Sequence, residues 1–438
     1  MTGIIWMVIR KPVFFTVIFL LPYTGHALAA TDPVVLTFST VGDSRVDHDE
    51  AKNAKLAVAP DAAPTAVNEG LSREGVLWGQ NTHALNRILQ GVKAQKANIL
   101  FFNGDMIMGY GNPVLPQASD AAVGLSLQDV LNSDLLKTYR EYAYWRGFVA
   151  SLNDAGVYVA PVPGNHEMQC SNTRYCSGVP KAAVAANENA WRDNMGDMIL
   201  DTERLNALLP SSLRGITHFD SRNNPYNDPA TLLPYAGSNP DAVSTDQKQL
   251  SYSFDIADSH FAVINTDAVG RDGHAPNAWL DADLTLAAGR GARHFFVFGH
   301  KPAYFYNYGT PPVATPPTGD LAMYDADARN AFWHVIVKHR ATYFCGHEHI
   351  YKAAQFPSPP GAVDPANGRA YAPAYQVIVG SGGSPFDAAA ASPGLARGDR
   401  QFAWATVKIH RSGAVKMEVW GFSDSYGPNT LLERRVLP

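Results

Sequence analysis

The sequence predicts an α/β fold organised on a mixed sheet. Three observations predict it. Short apolar runs of strand type end in polar tips and are separated by helical patterns, and this unit recurs three times before the chain changes character. An alternating stretch across a tight turn at Asp258-Ser259 reads as a hairpin, which adds antiparallel pairing. Two closing runs, 403–410 and 415–422, also read as antiparallel. Strand–helix–strand units place strands parallel, and in such sheets a ligand site forms at the carboxyl ends of the strands.

The chain begins with a targeting segment. Arg10 and Lys11 precede an apolar run from Val13 to Leu21, and Ala27-Leu28-Ala29 fits a small-x-small cleavage site. This predicts a signal peptide over residues 1–29, removed after Ala29. The run is shorter than the roughly 20 residues of a membrane span. The mature chain, 30–438, is therefore expected to be periplasmic or secreted, with no membrane segment.

Val34 to Val41 is the first β-rich run, ended by Gly42-Asp43-Ser44-Arg45. A polar, Ala-rich stretch leads to a helical pattern in which Leu77, Leu85, Ile88, Leu89 and Val92 recur at three- and four-residue steps. Ile99 to Phe102 is a buried strand closed by Asn103-Gly104-Asp105. Residues 106–132 read as a loop, and a second helix spans Asp134 to Asp154. Val157 to Val162 is the third strand, ended by Pro163-Gly164-Asn165-His166-Glu167.

Residues 168–249, rich in Asn, Pro, Ala and Ser, read as a long insertion over the site rather than a domain with its own core. Short helices near 187–192 and 202–209 fit within it. It holds Cys170 and Cys176. In an oxidising compartment a disulfide between them is favoured over a thiolate metal site. Order returns with the hairpin, Leu250–Ile256 and Phe261–Asp267. A helix follows at 279–288, and the strand His294–Phe298 ends in Gly299-His300-Lys301. A Tyr- and Pro-rich loop and a helix at 326–338 lead to Ala341–Cys345, ended by Gly346-His347-Glu348-His349. The run 375–379 ends in Gly380-Ser381-Gly382-Gly383. Cys345 reads as a buried small hydrophobe.

Apolar residues make up 46% and charged residues 17% of the 438, an ordinary globular balance and not a disordered one. The formal charge is −5, and −7 once Arg10 and Lys11 are removed. A mildly acidic chain gives no electrostatic reason to expect nucleic acid as a partner.

The chemistry-bearing residues gather at strand ends: Asp43, Asp105, Asn165 with His166, His300, and His347 with His349. Carboxylates, an amide oxygen and imidazoles suit Zn, Mn, Fe or Co and suit Ca poorly. A glycine precedes Asp43, Asp105, Asn165, His300 and His347, which predicts sharp turns that bring the ligand close. A single Gly-Asp is an ordinary turn; five such tips on successive strand ends are not.

The series Gly-Asp, Gly-Asp, Gly-Asn-His-Glu, Gly-His, Gly-His-Glu-His resembles the calcineurin-like metallophosphoesterase superfamily, which includes the purple acid phosphatases, over roughly residues 34–423. The resemblance implies a two-sheet mixed sandwich flanked by helices, in four layers, forming a single catalytic domain. It implies two divalent or trivalent metal ions (Mn, Fe or Zn) at the strand ends. Asp105 would bridge both ions, Asn165, His300 and His347 would complete one site, and Asp43 and His349 would serve the other. His166 would face the substrate. Two such ions, roughly 3.5–4 Å apart, activate a hydroxide for attack on phosphorus. The expected activity is hydrolysis of a phosphomonoester or phosphodiester with no covalent phosphoenzyme.

One departure stands out. The family pattern has Asp-x-His at the first tip, and this chain has Asp43-Ser44-Arg45. A guanidinium offers donors only and cannot ligate a metal. Arg45 either holds a substrate phosphate oxygen or pairs with a nearby carboxylate. Tyr110 and His48 are candidate replacements for the missing ligand, and the Asp43 side is expected to bind its ion more weakly. The departure also admits a second function, a metal-binding protein of this fold that recognises a phosphorylated or sugar ligand without turnover. Lys301 reads as exposed, Glu348 as a neighbour that orients a ligand, and Tyr304, Phe305, Tyr306 and Tyr308 as loop packing or, less favoured, a platform for the substrate.

Overall fold

The computed structural model describes residues 32–46, 74–118, 122–171, 176, 181–216, 218–220, 224–228, 231, 233–237, 239–305, 319–322, 325–384, 386, 401–423 and 426–438. The expected signal peptide, His48, Tyr306 and Tyr308 lie outside the described residues.

Two sheets carry the fold. The first has six strands in the order Thr430–Leu437, Val415–Ser423, Gln401–His410, Val34–Val41, Ile99–Asn103, Tyr158–Val162. Val34–Val41, Ile99–Asn103 and Tyr158–Val162 run parallel, and the remaining neighbours pair antiparallel. The second has seven, in the order Tyr351–Phe356, Ala374–Val379, Thr342–Cys345, His294–Phe298, Ser259–Val263, Tyr252–Ile256, Phe219–Asp220. Its four central strands are parallel, and the hairpin joining Tyr252–Ile256 to Ser259–Val263 is antiparallel. The mixed architecture read from the sequence is therefore present. The strands Tyr351–Phe356 and Thr430–Leu437, at one edge of each sheet, are additions to that reading.

Phenylalanines close the space between the sheets. Phe38 lies 4.9 Å from Phe296 and 5.5 Å from Phe261, ring centre to ring centre, and Phe101 stacks on Phe298 at 3.7 Å. Phe38 and Phe101 belong to the first sheet and their partners to the second, so the apolar runs are continuous because both faces of these strands are buried. Helices cover the outside. The helix Glu74–Ala94 packs on Gln401–His410, so closely that a Cβ at Gly91 would overlap the Trp404 ring. The helix Asp134–Asn153 starts where the Ser133 hydroxyl accepts from Leu136 N at 3.2 Å, a capping contact that stabilises the first turn. On the opposite side, Trp279 and Leu284 of the helix Asn277–Gly289 and Trp333 and Ile336 of Ala326–Lys338 pack with Val297 and Tyr343. The result is four layers.

The insertion adds to the same core: Trp191, Met195, Leu205 and Leu209 belong to the cluster that holds Phe38. Its first turn is a small hairpin, Gln169–Cys170 against Ala182–Ala183, closed by a Cys170–Cys176 disulfide with Cα atoms 6.1 Å apart. No helix among the described residues is long and apolar enough to cross a membrane.

Candidate metal centre

Parallel strand ends deliver Asp43, Asp105, Asn165, His300 and His347 to one seam between the sheets. The tips are tied together by the backbone: Asp43 N donates to Gly104 O at 2.9 Å, Gly42 N to Val379 O at 2.8 Å, and Gly346 N to His300 O at 2.9 Å. Ser384 N donates to Asp43 O at 2.9 Å and Gly382 N to Gly42 O at 2.9 Å, so the Gly-Ser-Gly-Gly stretch holds the first tip from the other sheet. The sharp turns expected of the glycines are made at three tips by the polar residues themselves: Asp43, Asp105 and His347 have φ of 64°, 51° and 71°. This left-handed region is uncommon for a side-chain-bearing residue and concentrates at functional sites. Gly346 serves instead through its missing side chain, because a Cβ there would collide with the Asp43 carboxylate.

Two groups of potential ligands result, Asp105 with His300 and His347, and Asp43 with Asp105 and His349, each with one ligand atom per residue within 4.8 Å of the others. Asp105 is common to both. Asp43, Asp105, Asn165 and His300 are fully buried.

The hydrogen bonds fix which atoms face inward. His300 Nδ1 lies 2.7 Å from the Asn103 carbonyl, which can only accept, so its Nε2 is left with a lone pair. His347 Nε2 lies 2.6 Å from Asp320 Oδ2, which leaves its Nδ1 in the same state. These two nitrogens are 3.3 Å apart. Asn165 Oδ1 is 2.9 Å from each, and Asp105 Oδ1 is 3.1 Å from His300 Nε2. The Asn165 amide nitrogen donates to the Tyr110 hydroxyl, which turns its oxygen inward. With both imidazoles neutral, four acceptor atoms converge in this buried space, a state that a cation among them stabilises and that a proton on His300 Nε2 otherwise relieves, and the donor set fits a transition-metal ion. The carboxylate behind His347 is the usual means of orienting a ligating imidazole.

The other side is held differently. Asp43 accepts from His347 N at 3.0 Å, and His349 Nε2 is 3.6 Å from Asp43 Oδ1. Arg45 reaches Asp105 Oδ2 through Nη2 at 3.3 Å and Nε at 3.4 Å. The structure therefore gives Arg45 the carboxylate-paired position. Tyr110, a candidate replacement ligand on the Asp43 side, has its hydroxyl on the amide of Asn165 instead.

Burial, and then the Asp105 carboxylate, push Asp43 well above the ordinary carboxylate range. Burial acts the same way on Asp105, but the facing His166 and His300 hold it well below that range. Burial would lower His300, yet the Asp105 charge carries it up to about 9. His166 is lowered by burial and by Arg45. Its Nδ1 contacts the Met108 carbonyl and its Nε2 lies 3.6 Å from Asp105 Oδ2, so Nε2 is the atom on the site side.

Several residues that shape the site were not singled out from the sequence. Glu167 accepts from four backbone N–H groups: Gly164 at 2.8 Å, Asp105 at 2.9 Å, Met106 at 2.8 Å and Ile107 at 3.1 Å. It sets the loop that carries Asp105, and its signal was its place next to Asn165-His166. Asp320 follows Gly319, so it had the Gly-Asp signature but no strand before it. Lys301 is buried rather than exposed, because Asp267 Oδ1 sits 2.5 Å from its ammonium. Tyr304 is packing: it stacks on Phe356 at 4.0 Å and meets Trp333 edge-on at 5.2 Å. Glu348 and Cys345 are buried, the latter as expected.

Comparison with known proteins is consistent with this geometry. Residues 75–351, more than half of the chain, match the calcineurin-like phosphoesterase family. No curated protein matches the chain. Similar solved structures include a purple acid phosphatase from seeds of yellow lupin (Lupinus luteus), with 12% identity and a TM-score of 0.46 over 92% of this chain and 54% of that one. This chain thus aligns with about half the length of the lupin protein. They also include a dimetal phosphatase from Danio rerio (13% identity, TM-score 0.38, 92% of this chain and 99% of that one) and PhoD (13%, 0.45, 92% and 69%).

Proposed function

From the premise that the chain belongs to the calcineurin-like phosphoesterase family, we propose that it is an exported, metal-dependent hydrolase of a phosphomonoester or phosphodiester. The observation that carries the reading is the convergence of Asp105 Oδ1, Asn165 Oδ1, His300 Nε2 and His347 Nδ1, with Asp43 and His349 sharing Asp105 alongside. In this reading Asp105, Asn165, His300 and His347 hold one ion, and Asp43, Asp105 and His349 hold the other. When bound, such a pair supplies Lewis acidity and an activated water.

The protein's own groups do the rest. Asp320 orients His347, Tyr110 orients Asn165, and Glu167 holds the Asp105 loop. His166 presents Nε2 to the substrate, and as an imidazolium, the form burial and Arg45 disfavour until substrate charge is beside it, it delivers the Nε2 proton to the leaving oxygen. Arg45 brings a fixed guanidinium to the site beside Asp105, a charge suited to a phosphoryl oxygen. The disulfide and the Arg10-Lys11 to Ala29 segment support export, and residues 30–438 act as one catalytic domain with 168–249 inserted.

A second reading is favoured by one contact, the Arg45 guanidinium on the shared carboxylate. A resident cation there suits a metal-binding protein that recognises a phosphorylated or sugar ligand without turnover. Hydrolysis of a chromogenic monoester and a chromogenic diester, with Mn or Zn supplied, separates the two. Turnover of either supports the hydrolase. Bound metal with no turnover supports the binding protein. His166→Ala with metal retained and turnover lost supports the role given to His166, and unchanged turnover removes it.

A further inference from the structure

Lys181 is the residue before the strand Ala182–Ala183 in the disulfide-closed hairpin, on the site side of the insertion. Its ammonium lies 4.2 Å from the centre of the Tyr110 ring and donates to the Tyr110 hydroxyl. The same hydroxyl accepts from Asn165 Nδ2. The Tyr110 ring in turn lies against His166, centre to centre at 3.8 Å. One chain of contacts therefore links Lys181 to Asn165 and to His166.

Lys181 is exposed, and counting hydrogens shows which donors this arrangement leaves open to an incoming ligand. A phenol oxygen has two lone pairs and one hydrogen, and an ammonium and an amide nitrogen only donate. Lys181 and Asn165 occupy both lone pairs, so the Tyr110 hydrogen is directed elsewhere. The Lys181 ammonium keeps two more hydrogens, and among the described residues it pairs with no carboxylate. The neighbouring cations differ: Lys301 is neutralised by Asp267 and Arg45 lies on Asp105. Three donor hydrogens and one unneutralised positive charge thus stand beside Asn165. Anionic oxygens match both the donors and the charge, and charge-assisted bonds to them are the stronger kind.

We propose that Lys181 and Tyr110 together hold a non-bridging phosphoryl oxygen of the substrate, and that the Lys181 charge makes the site select a phosphomonoester dianion over a diester. A monoester offers one more anionic oxygen than a diester, and the additional ammonium is matched to it. The proposal rests on the hydrolase reading for its substrate, and its test has a readout that does not require turnover.

The test is calorimetric binding of inorganic phosphate and of dimethyl phosphate to the metal-loaded chain at about pH 8, where phosphate is a dianion. Lys181→Gln is expected to weaken phosphate about tenfold and dimethyl phosphate by at most about twofold. Lys181→Arg is expected to restore most of the loss. Tyr110→Phe keeps the ring on His166 and removes the hydroxyl, and is expected to weaken phosphate in the same direction, with thermal unfolding confirming an intact fold. Equal losses for the two ligands, wild-type phosphate affinity in Lys181→Gln, or no recovery with Arg would overturn the proposal. Separately, absence of turnover on either chromogenic ester in the wild type sinks the hydrolase reading and leaves the binding comparison standing.

Discussion

Replacing Glu167 with Gln tests how the Asp105 loop is held. One carboxylate oxygen takes Gly164 N and Asp105 N, and the other takes Met106 N and Ile107 N. Gln presents only one acceptor oxygen, so whichever way the amide turns, two buried N–H groups face an NH2 group. Each buried donor left unpaired costs about 1–3 kcal/mol, which makes the expected loss about 2–6 kcal/mol. Against a typical total of about 5–15 kcal/mol this is large, and for a chain of this size it lowers the thermal midpoint by about 2–7 °C. Burial, followed by the Asp105 charge, pushes Glu167 up to about 7. The comparison therefore belongs at about pH 8, where the wild-type group is a carboxylate. Denaturant unfolding followed by tryptophan fluorescence gives the stability difference, and metal analysis of the same samples reports whether Asp105 remains in place. A difference below about 1 kcal/mol would refute the reasoning, because it would mean the four N–H groups find other partners at no cost.

Three further perturbations probe separate parts of the molecule. Asp320→Ala removes the acceptor behind His347 Nε2 and should weaken the ion on that side by about 10–100-fold, measured by competition with a chromogenic chelator; unchanged affinity would show that Asp320 does not orient the imidazole. Mild chelation should remove the Asp43-side ion first, and simultaneous loss of both ions with equal affinity would sink that ordering. Away from the site, His260 lies between Asp255 at 2.6 Å and Asp283 at 2.9 Å; burial lowers its pKa, but Asp283 and Asp255 carry it up to about 9. Its contribution, on the order of 3 kcal/mol, is complete below about pH 6.5 and is lost as pH rises through about 9. Unfolding midpoints of wild type and His260→Gln across that range should converge at the alkaline end, and a constant gap would exclude the linkage.

What the sequence made legible follows from burial. The central strands are covered on both faces, so Ile99–Phe102 and His294–Phe298 appear as unbroken apolar runs, and each run ends at a polar tip that joins the site. The strand Thr430–Leu437 carries Glu433, Arg434 and Arg435 at the edge of its sheet, where charge is tolerated and the apolar signal fades. The supporting residues were harder to find for another reason. Asp320, Lys181 and the Asp267 that buries Lys301 act across the fold, at separations of 27, 71 and 34 residues from the groups they touch. Local pattern carries no information about such partners. A lysine read alone is exposed, and only the carboxylate opposite decides otherwise.

The two sides of the centre are built on opposite electrostatic terms. Around His300 and His347 the inward atoms are ligand atoms, no described residue places a resident cation side chain among them, and Asp320 adds negative charge behind one imidazole. Around Asp43 and His349 the shared carboxylate already carries a guanidinium. Arg45 is fixed there: its backbone N donates to Asp105 O at 2.9 Å and its φ is 43°, so the side chain leaves the turn in a set direction. A fixed cation next to a ligand oxygen opposes an incoming ion through like-charge repulsion. The same cation favours an anion more in the transition state than in the ground state if negative charge grows on the phosphoryl oxygens, because the donor needs no reorganisation. In the hydrolase reading, weaker metal binding on the Asp43 side and stronger hold on the reacting phosphoryl group would be two consequences of one residue. Arg45→His separates them: it returns a possible ligand while removing the planar fork, so ion retention should rise while turnover at saturating metal falls. Retention and turnover rising together would show that Arg45 contributes nothing to the reacting group.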